Sequence, residues 1–250
     1  MMRLFSIWRE KYLADPEGAL TVAHIPARLG SSRLPKKNIK VLNGLPLIAY
    51  SILLARSIPE IDVVYVNTES PEVAETARRY GAEVPVMRPA YLAEKDTPMK
   101  DAIQFFFEWL RESELTVAKV VTMYPTSPFR NVDRVRHMLA AMNDYVFVHK
   151  AVRSDVDWHR LLVDKGHGLT TVSRNGDSPE QVRPMYKTLG NFAGHSCTTP
   201  WDQGRFEKVF LPMSPLECID IDTERDWELA KFIMESNHFD FGMDMHAERH

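Results

Sequence analysis

The chain of 250 residues predicts an α/β fold built on a mainly parallel sheet. Three observations carry that reading. Short apolar runs alternate with segments of helical spacing, the order strand–helix–strand repeats across residues 19–149, and the polar and basic residues gather in the connecting loops. Strands joined by helical crossovers run parallel with right-handed connections. Open sheets of this kind bind ligands beyond the carboxyl ends of their strands.

Residues 19–25 (Ala-Leu-Thr-Val-Ala-His-Ile) read as a buried strand and residues 46–57 as an amphipathic helix. The loop between them carries Arg28, Arg33, Lys36 and Lys37 without an acid as far as Asn38. It suits a polyphosphate. Gly30 permits close backbone approach, Ser31 and Ser32 offer hydroxyls, and the cations pair with phosphate oxygens. Gly30 is the only glycine between Ala19 and Asn43, so neither the P-loop nor the dinucleotide fingerprint is present. What remains is a basic loop of the kind that holds the triphosphate in nucleotidyltransferases, with a solvated surface loop as the alternative.

Residues 62–67 form the next strand. Ser70 is placed to cap a helix that starts at Pro71 and stops at Gly81. Residues 82–87 read as a third strand, broken at Arg88-Pro89. Residues 98–111 read as a helix with Asp96 and Thr97 as caps, and residues 118–123 as a strand running into Tyr124-Pro125-Thr126-Ser127-Pro128-Phe129-Arg130. That second loop lies on the same sheet edge. Its prolines stiffen it, and Thr126 and Ser127 present hydroxyls. A helix over residues 132–142 and a strand over residues 145–149 follow.

From residue 150 to residue 201 the pattern loosens into turn signals and short β-like runs, which read as an inserted arm. An arm that cannot bury its own faces buries them against a twin subunit, so a homodimer is expected. Its His159, His167 and His195 read as surface or packing residues. Near the end, Asp220 and Asp222 project from one side of an extended segment while Ile219 and Ile221 point to the core. Paired carboxylates suit Mg²⁺ shared with nucleotide phosphates, the alternative being acids that merely decorate a helix start. Thr223 caps that helix, with Asp226 in capping-box range.

These elements divide the chain into an N-terminal extension (1–18), a catalytic domain (19–236) with its arm (150–201), and a tail (237–250) expected to be disordered rather than metal-binding. The formal charge of −3 gives no global attraction to nucleic acid or to an anionic membrane. No window supplies an export signal or a membrane span, so a cytoplasmic location is expected. Cys197 and Cys218 lack metal or disulfide spacing and read as packing residues in a reducing compartment.

Six ordered segments together resemble the acylneuraminate cytidylyltransferases, also called CMP-sialic acid synthetases. They are Ile25-Pro26-Ala27-Arg28, residues 34–40 (Leu-Pro-Lys-Lys-Asn-Ile-Lys), residues 44–50, residues 80–85, Pro125-Thr126-Ser127-Pro128-Phe129-Arg130 and Ile219-Asp220-Ile221-Asp222-Thr223. The resemblance implies a nucleotidyltransferase Rossmann-like three-layer sandwich with an inserted dimerisation arm, a Mg²⁺ cofactor and a dimer. It also implies transfer of CMP from CTP to the anomeric hydroxyl of a 3-deoxy-ulosonic acid, a small acidic sugar. By similarity Arg28, Lys37 and Asn38 fall to CTP, Ser31 lines the phosphate loop beside the Gly30 and Arg33 already read there from the residues, and Asp220 and Asp222 fall to the metal. Arg28, Lys37 and Asp222 are the implied catalytic group; by similarity Thr126 and Ser127 would lie beside the acceptor or the nucleotide, and Tyr124 and Asn191 are expected with them on the acceptor side.

The chain departs from the family pattern in the loop and in the turn. Leu29 stands where the family has glycine and Ser32 where it has lysine, Arg33 restoring the charge one residue later. Ser31-Ser32-Arg33-Leu34-Pro35 is closer to the enzymes that activate the eight-carbon sugar KDO, and Tyr124 replaces a common glutamine. A KDO-type sugar, a phosphonate or a sugar phosphate is therefore an alternative acceptor, and a catalytically silent nucleotide-binding homologue is the alternative outside enzymes.

Overall fold

The computed structural model describes residues 10–144, 147–153, 162–164, 169–171, 186–196 and 208–247. Six strands form the main sheet: β1 (Leu20–Pro26), β2 (Val63–Asn67), β3 (Val117–Met123), β4 (Phe147–Arg153), β5 (Tyr186–Ser196) and β6 (Lys208–Met213). Their spatial order is β6-β4-β5-β3-β1-β2. All neighbours pair parallel except at β5, which runs antiparallel to both β3 and β4. The helices are α1 (Leu47–Arg56), α2 (Pro71–Arg79), α3 (Met99–Glu112), α4 (Val132–Ala141) and α5 (Glu224–Glu235).

Alternation along the strands divides the core into two faces. Val22, Tyr65 and Val120 face α3, whose Phe106, Phe107 and Leu110 cover them. Ala23, Val64 and Val121 face the other way, toward residues of α1, α2 and α4. This is a three-layer sandwich. Helix α1 is not the one-sided helix its sequence suggests, because every residue from Leu47 to Ala55 is buried. Ile48 and Ile52 pack toward the sheet while Leu47, Tyr50 and Leu53 pack toward Trp227 and Ile233 of α5.

Several local expectations hold at atomic detail. The Ser70 side chain accepts the Val73 amide, and Thr223 with Asp226 forms a full capping box. Others do not. Residues 82–87 make one bridge, Glu83 to Tyr65, instead of a strand. Pro85 has no N–H with which to continue the ladder. Neither Asp96 nor Thr97 caps α3, whose N-cap is Pro98; the Thr97 hydroxyl donates instead to Tyr91 O.

The stretch read as an arm contributes β5, inserted between β3 and β4 in the main sheet, and a small hairpin of Leu162–Asp164 with Leu169–Thr171. His159, His167 and Cys197 lie outside the described residues. Residues 238–247 are also unlike the disordered tail expected. Phe239, Phe241 and Met243 pack on the α1–α5 core, Met245 is buried in it, and Phe241 O accepts the Val132 amide at 3.0 Å. Cys218 packs half-buried against the main core. Among the described residues, no helix is long and apolar enough to cross a membrane.

Candidate active site

Strands β1 and β3 are parallel neighbours, so the loops that leave their carboxyl ends emerge side by side. Strand β6 runs parallel to β4 and delivers residues 214–222 to the same edge. Where the three meet there is a cleft of about 220 Å³. Arg28, Gly30, Ser31, Ser32, Arg33, Lys37 and Asn38 form one wall. Tyr124, Pro125 and Thr126 form the opposite wall, and Asp220 and Asp222 close the gap between them.

The basic loop is fastened by neutral and acidic partners. Leu29 packs on the main core, and its amide donates to Glu69 Oε1 at 2.8 Å. Arg28 Nη1 donates to Glu94 O at 2.9 Å, and Asn38 Nδ2 donates to Arg28 O at 2.8 Å. Asn38 Oδ1 is buried without a hydrogen-bond donor among the described residues. A Cβ at Gly30 would meet open space, so the protein's own packing does not demand glycine there.

Lys36, read as part of the cationic set, points away. It adopts φ 51° and pairs with Glu72 of α2 at 2.8 Å. The short helical turn of Lys37–Ile39 then carries Lys37 inward, where its Nζ lies 2.6 Å from Asp222 Oδ1. Arg33 Nη2 lies 2.9 Å from Asp222 Oδ2. Both oxygens of one carboxylate thus hold cations from the basic loop.

The acid segment is set by its backbone. The Ile221 amide donates to Thr126 O at 2.7 Å, and the Ile221 side chain is buried in the α1–α5 core. Asp220 and Asp222 therefore flank a fixed point and both line the cleft. Asp226 holds the amides of Asp222 and Thr223 at 3.1 and 2.8 Å. Burial opposes charge on Asp226, but these hydrogen bonds and that from the Thr223 hydroxyl outweigh it and hold the carboxyl below its ordinary value.

The turn wall rests on buried polar groups. Burial, with Asp220 adding to it, pushes the Tyr124 phenol up to about 12. Ser127, expected beside the acceptor, is fully buried: its amide folds back to Tyr124 O at 3.2 Å. Asn191 lies in β5 at the step in its register with β4, between the Leu189–Lys150 and Ala193–His149 pairs. Beneath the turn, burial lowers Arg130 to about 9 against the pull of Asp220. Burial and then the charge of Arg130 bring Lys150 down to about 8.

Glu69 and Arg88 escaped the sequence reading. Arg88 is buried and pairs with Glu69 Oε2 at 2.5 Å, so Glu69 joins the basic loop to the segment before α3. The available signal was position, since Glu69 follows β2 on the ligand-binding edge. Met99 also lines the cleft, from the start of α3. His24 sits below the site, stacked on Phe106 at 4.1 Å. Burial, then His195 and Arg88, lower it to about 3, so it is neutral near pH 7.

A family model described as Cytidylyltransferase matches residues 22–162. The chain is 32% identical over 234 residues to a CMP-N,N'-diacetyllegionaminic acid synthase of Legionella pneumophila, covering 86% of this chain and 97% of that protein. It is 29% identical to a pseudaminic acid cytidylyltransferase of Campylobacter jejuni over 86% of this chain and 96% of that one. In fold it is similar to a CMP:2-keto-3-deoxy-manno-octonic acid synthetase complexed with CTP, with TM-score 0.65 and 16% identity over 88% of this chain and 100% of that chain.

Proposed function

The chain belongs to the cytidylyltransferase family, and on that premise we propose that it transfers CMP from CTP to the anomeric hydroxyl of a sialic-acid-like 3-deoxy-ulosonic acid, releasing pyrophosphate. The observation that carries the site assignment is the 2.6 Å contact between Lys37 and Asp222, which joins a cationic loop to an acid pair across one cleft. The relatives named for legionaminic and pseudaminic acids support an acceptor of that class.

Arg28, Arg33 and Lys37 bind the triphosphate, and the Ser31 hydroxyl and Gly30 backbone approach it closely. The orphaned Asn38 Oδ1 accepts a hydrogen bond from a hydroxyl or amino group of the nucleotide. Tyr124 and Thr126 hold the acceptor against the other wall, with Asn191 at its margin. The acceptor oxygen attacks the α-phosphorus in line. The new O–P bond forms as the bond to the β-phosphate breaks, pyrophosphate leaves with that electron pair, and the hydroxyl proton is released. No covalent enzyme intermediate is needed, and positioning supplies much of the acceleration.

Cytidylyltransferases of this type use a divalent metal, and the residues fit one. Among the described residues no cluster of three or more ligating side chains encloses a metal. Asp220 and Asp222 offer two hard oxygen donors on the cleft, the arrangement for Mg²⁺ that takes its remaining ligands from phosphates and water. Bound there, the cation would neutralise charge on the α-phosphate and departing pyrophosphate. The reading extends to a cytoplasmic homodimer of a 19–236 catalytic domain, in which residues 150–201 supply β5 to the chain's own sheet as well as the dimer contact.

Pyrophosphate release with CTP, Mg²⁺ and a panel of ulosonic acids, KDO, phosphonates and sugar phosphates tests this function. Turnover with CTP and a sialic-acid-like acceptor is expected. Release with UTP or ATP but not CTP, or with a phosphate acceptor alone, overturns it.

A further inference from the structure

Resting on that reading, we propose that Arg130 is a positioning residue for the transfer step, fixing the distance between the acceptor wall and the acid pair. Arg130 is 2% exposed, and its hydrogen bonds go to carbonyls and a hydroxyl rather than to a carboxylate. Nε donates to Ser127 O at 3.0 Å and Nη2 to Tyr124 O. Both Nη atoms reach Ser51 Oγ of α1 at 3.4–3.5 Å, and the guanidinium lies 5.4 Å from the Phe192 ring centre in β5.

Burying a charge in this way is costly unless its donors are satisfied. The turn needs such a donor set because Pro125 and Pro128 contribute no amide hydrogens. The planar fork of arginine grips both ends of the turn at once, which a lysine ammonium cannot reproduce. The constraint then passes outward. Thr126, inside the gripped turn, accepts the Ile221 amide at 2.7 Å, and Ile221 separates Asp220 from Asp222. Arg130 therefore ties α1, β5, the acceptor wall and the acid pair into one rigid unit. None of its hydrogen bonds goes to Arg28, Lys37 or Asn38, which hold the nucleotide side.

This separation gives a signature that loss of fold does not share. Arg130→Ala and Arg130→Lys should lower kcat about 100-fold, the scale of an ångström-sized misplacement, while leaving CTP affinity within about threefold. Added guanidinium ion should restore part of the Arg130→Ala turnover and none of the Arg130→Lys turnover. A kcat near that of the wild type, or CTP affinity falling in step with kcat, overturns the proposal. Should Arg130→Ala fail to fold, Ser51→Ala decides: about a fivefold loss of kcat with unchanged CTP affinity is expected for the loss of the hydroxyl that accepts two long hydrogen bonds from the guanidinium. An unaffected Ser51→Ala enzyme overturns it. A wild-type protein that turns over no acceptor instead sinks the parent reading, so the two failures are distinct.

Discussion

The loop after β1 and the turn after β3 face one another across the cleft, yet they are held in opposite ways. The loop meets the acid pair through charged side chains around one carboxylate that water reaches: Asp222 is 41% exposed, Arg33 is 64% exposed, and Lys37 reaches it from beneath at 8% exposed. The turn is held from beneath by Arg130, which is 2% exposed, and from the side by a backbone bond to Ile221. Exposed ion pairs contribute little and exchange readily, whereas buried charges gripped by several acceptors are expensive to disturb. The first wall suits a polyanion that arrives and leaves, displacing Asp222 from its cations. The second suits an acceptor that must be held still.

The comparison breaks most sharply at Glu69, which anchors the loop wall to the buried side of the molecule. Glu69→Ala leaves the Arg88 guanidinium buried without its carboxylate and should destabilise the fold by roughly 3–5 kcal/mol, read by urea denaturation. A change under 1 kcal/mol contradicts the assigned burial. Asp222→Ala should cost about 10²–10³-fold in kcat, the scale of removing one charge-stabilising group, with little change in melting temperature. Unimpaired turnover excludes Asp222 from the chemistry.

Arg28→Ala acts on the exchangeable wall and should weaken CTP binding by about 1.5–3 kcal/mol in calorimetry, the worth of a charged hydrogen bond. Equal affinities separate Arg28 from the triphosphate. His24 sharpens the buried side. Its folded value of about 3 lies below its ordinary 6.5, so the unfolded chain binds the extra proton between those values. Stability is lost as pH falls through that window, by about 2 kcal/mol at pH 5 from this group alone. His24→Gln should flatten the decline between pH 7 and pH 5, measured by denaturation midpoints, and an identical decline argues against the buried neutral imidazole.

What was legible in the sequence was local. Period and capping placed β1, β2, β3, α2 and α5, and the basic loop, the proline-rich turn and the paired aspartates each stood out as residue types at short spacing. The basic loop and the turn share one edge because of the parallel topology that the βαβ order implies, whereas the aspartates reach it through β6, a strand the sequence pattern did not reveal. Non-local pairing stayed hidden. Nothing near residues 186–196 says that they enter the main sheet antiparallel, since a strand's partner is chosen by packing elsewhere in the chain. Ser127 offered a hydroxyl in the right motif, but the turn folds it inward. Arg130 stands in the proline-rich motif with no role that the sequence shows; the role appears once its acceptors, contributed by residues 51, 124 and 127, are assembled around it.

The most direct test of a shared metal–triphosphate site is a crystal structure with a non-hydrolysable CTP analogue and Mn²⁺, located by anomalous scattering. The metal should lie between Asp220, Asp222 and the triphosphate, with Arg28 and Lys37 in hydrogen-bond contact with phosphate oxygens. A triphosphate seated elsewhere, or a metal bound without either aspartate, would contradict it.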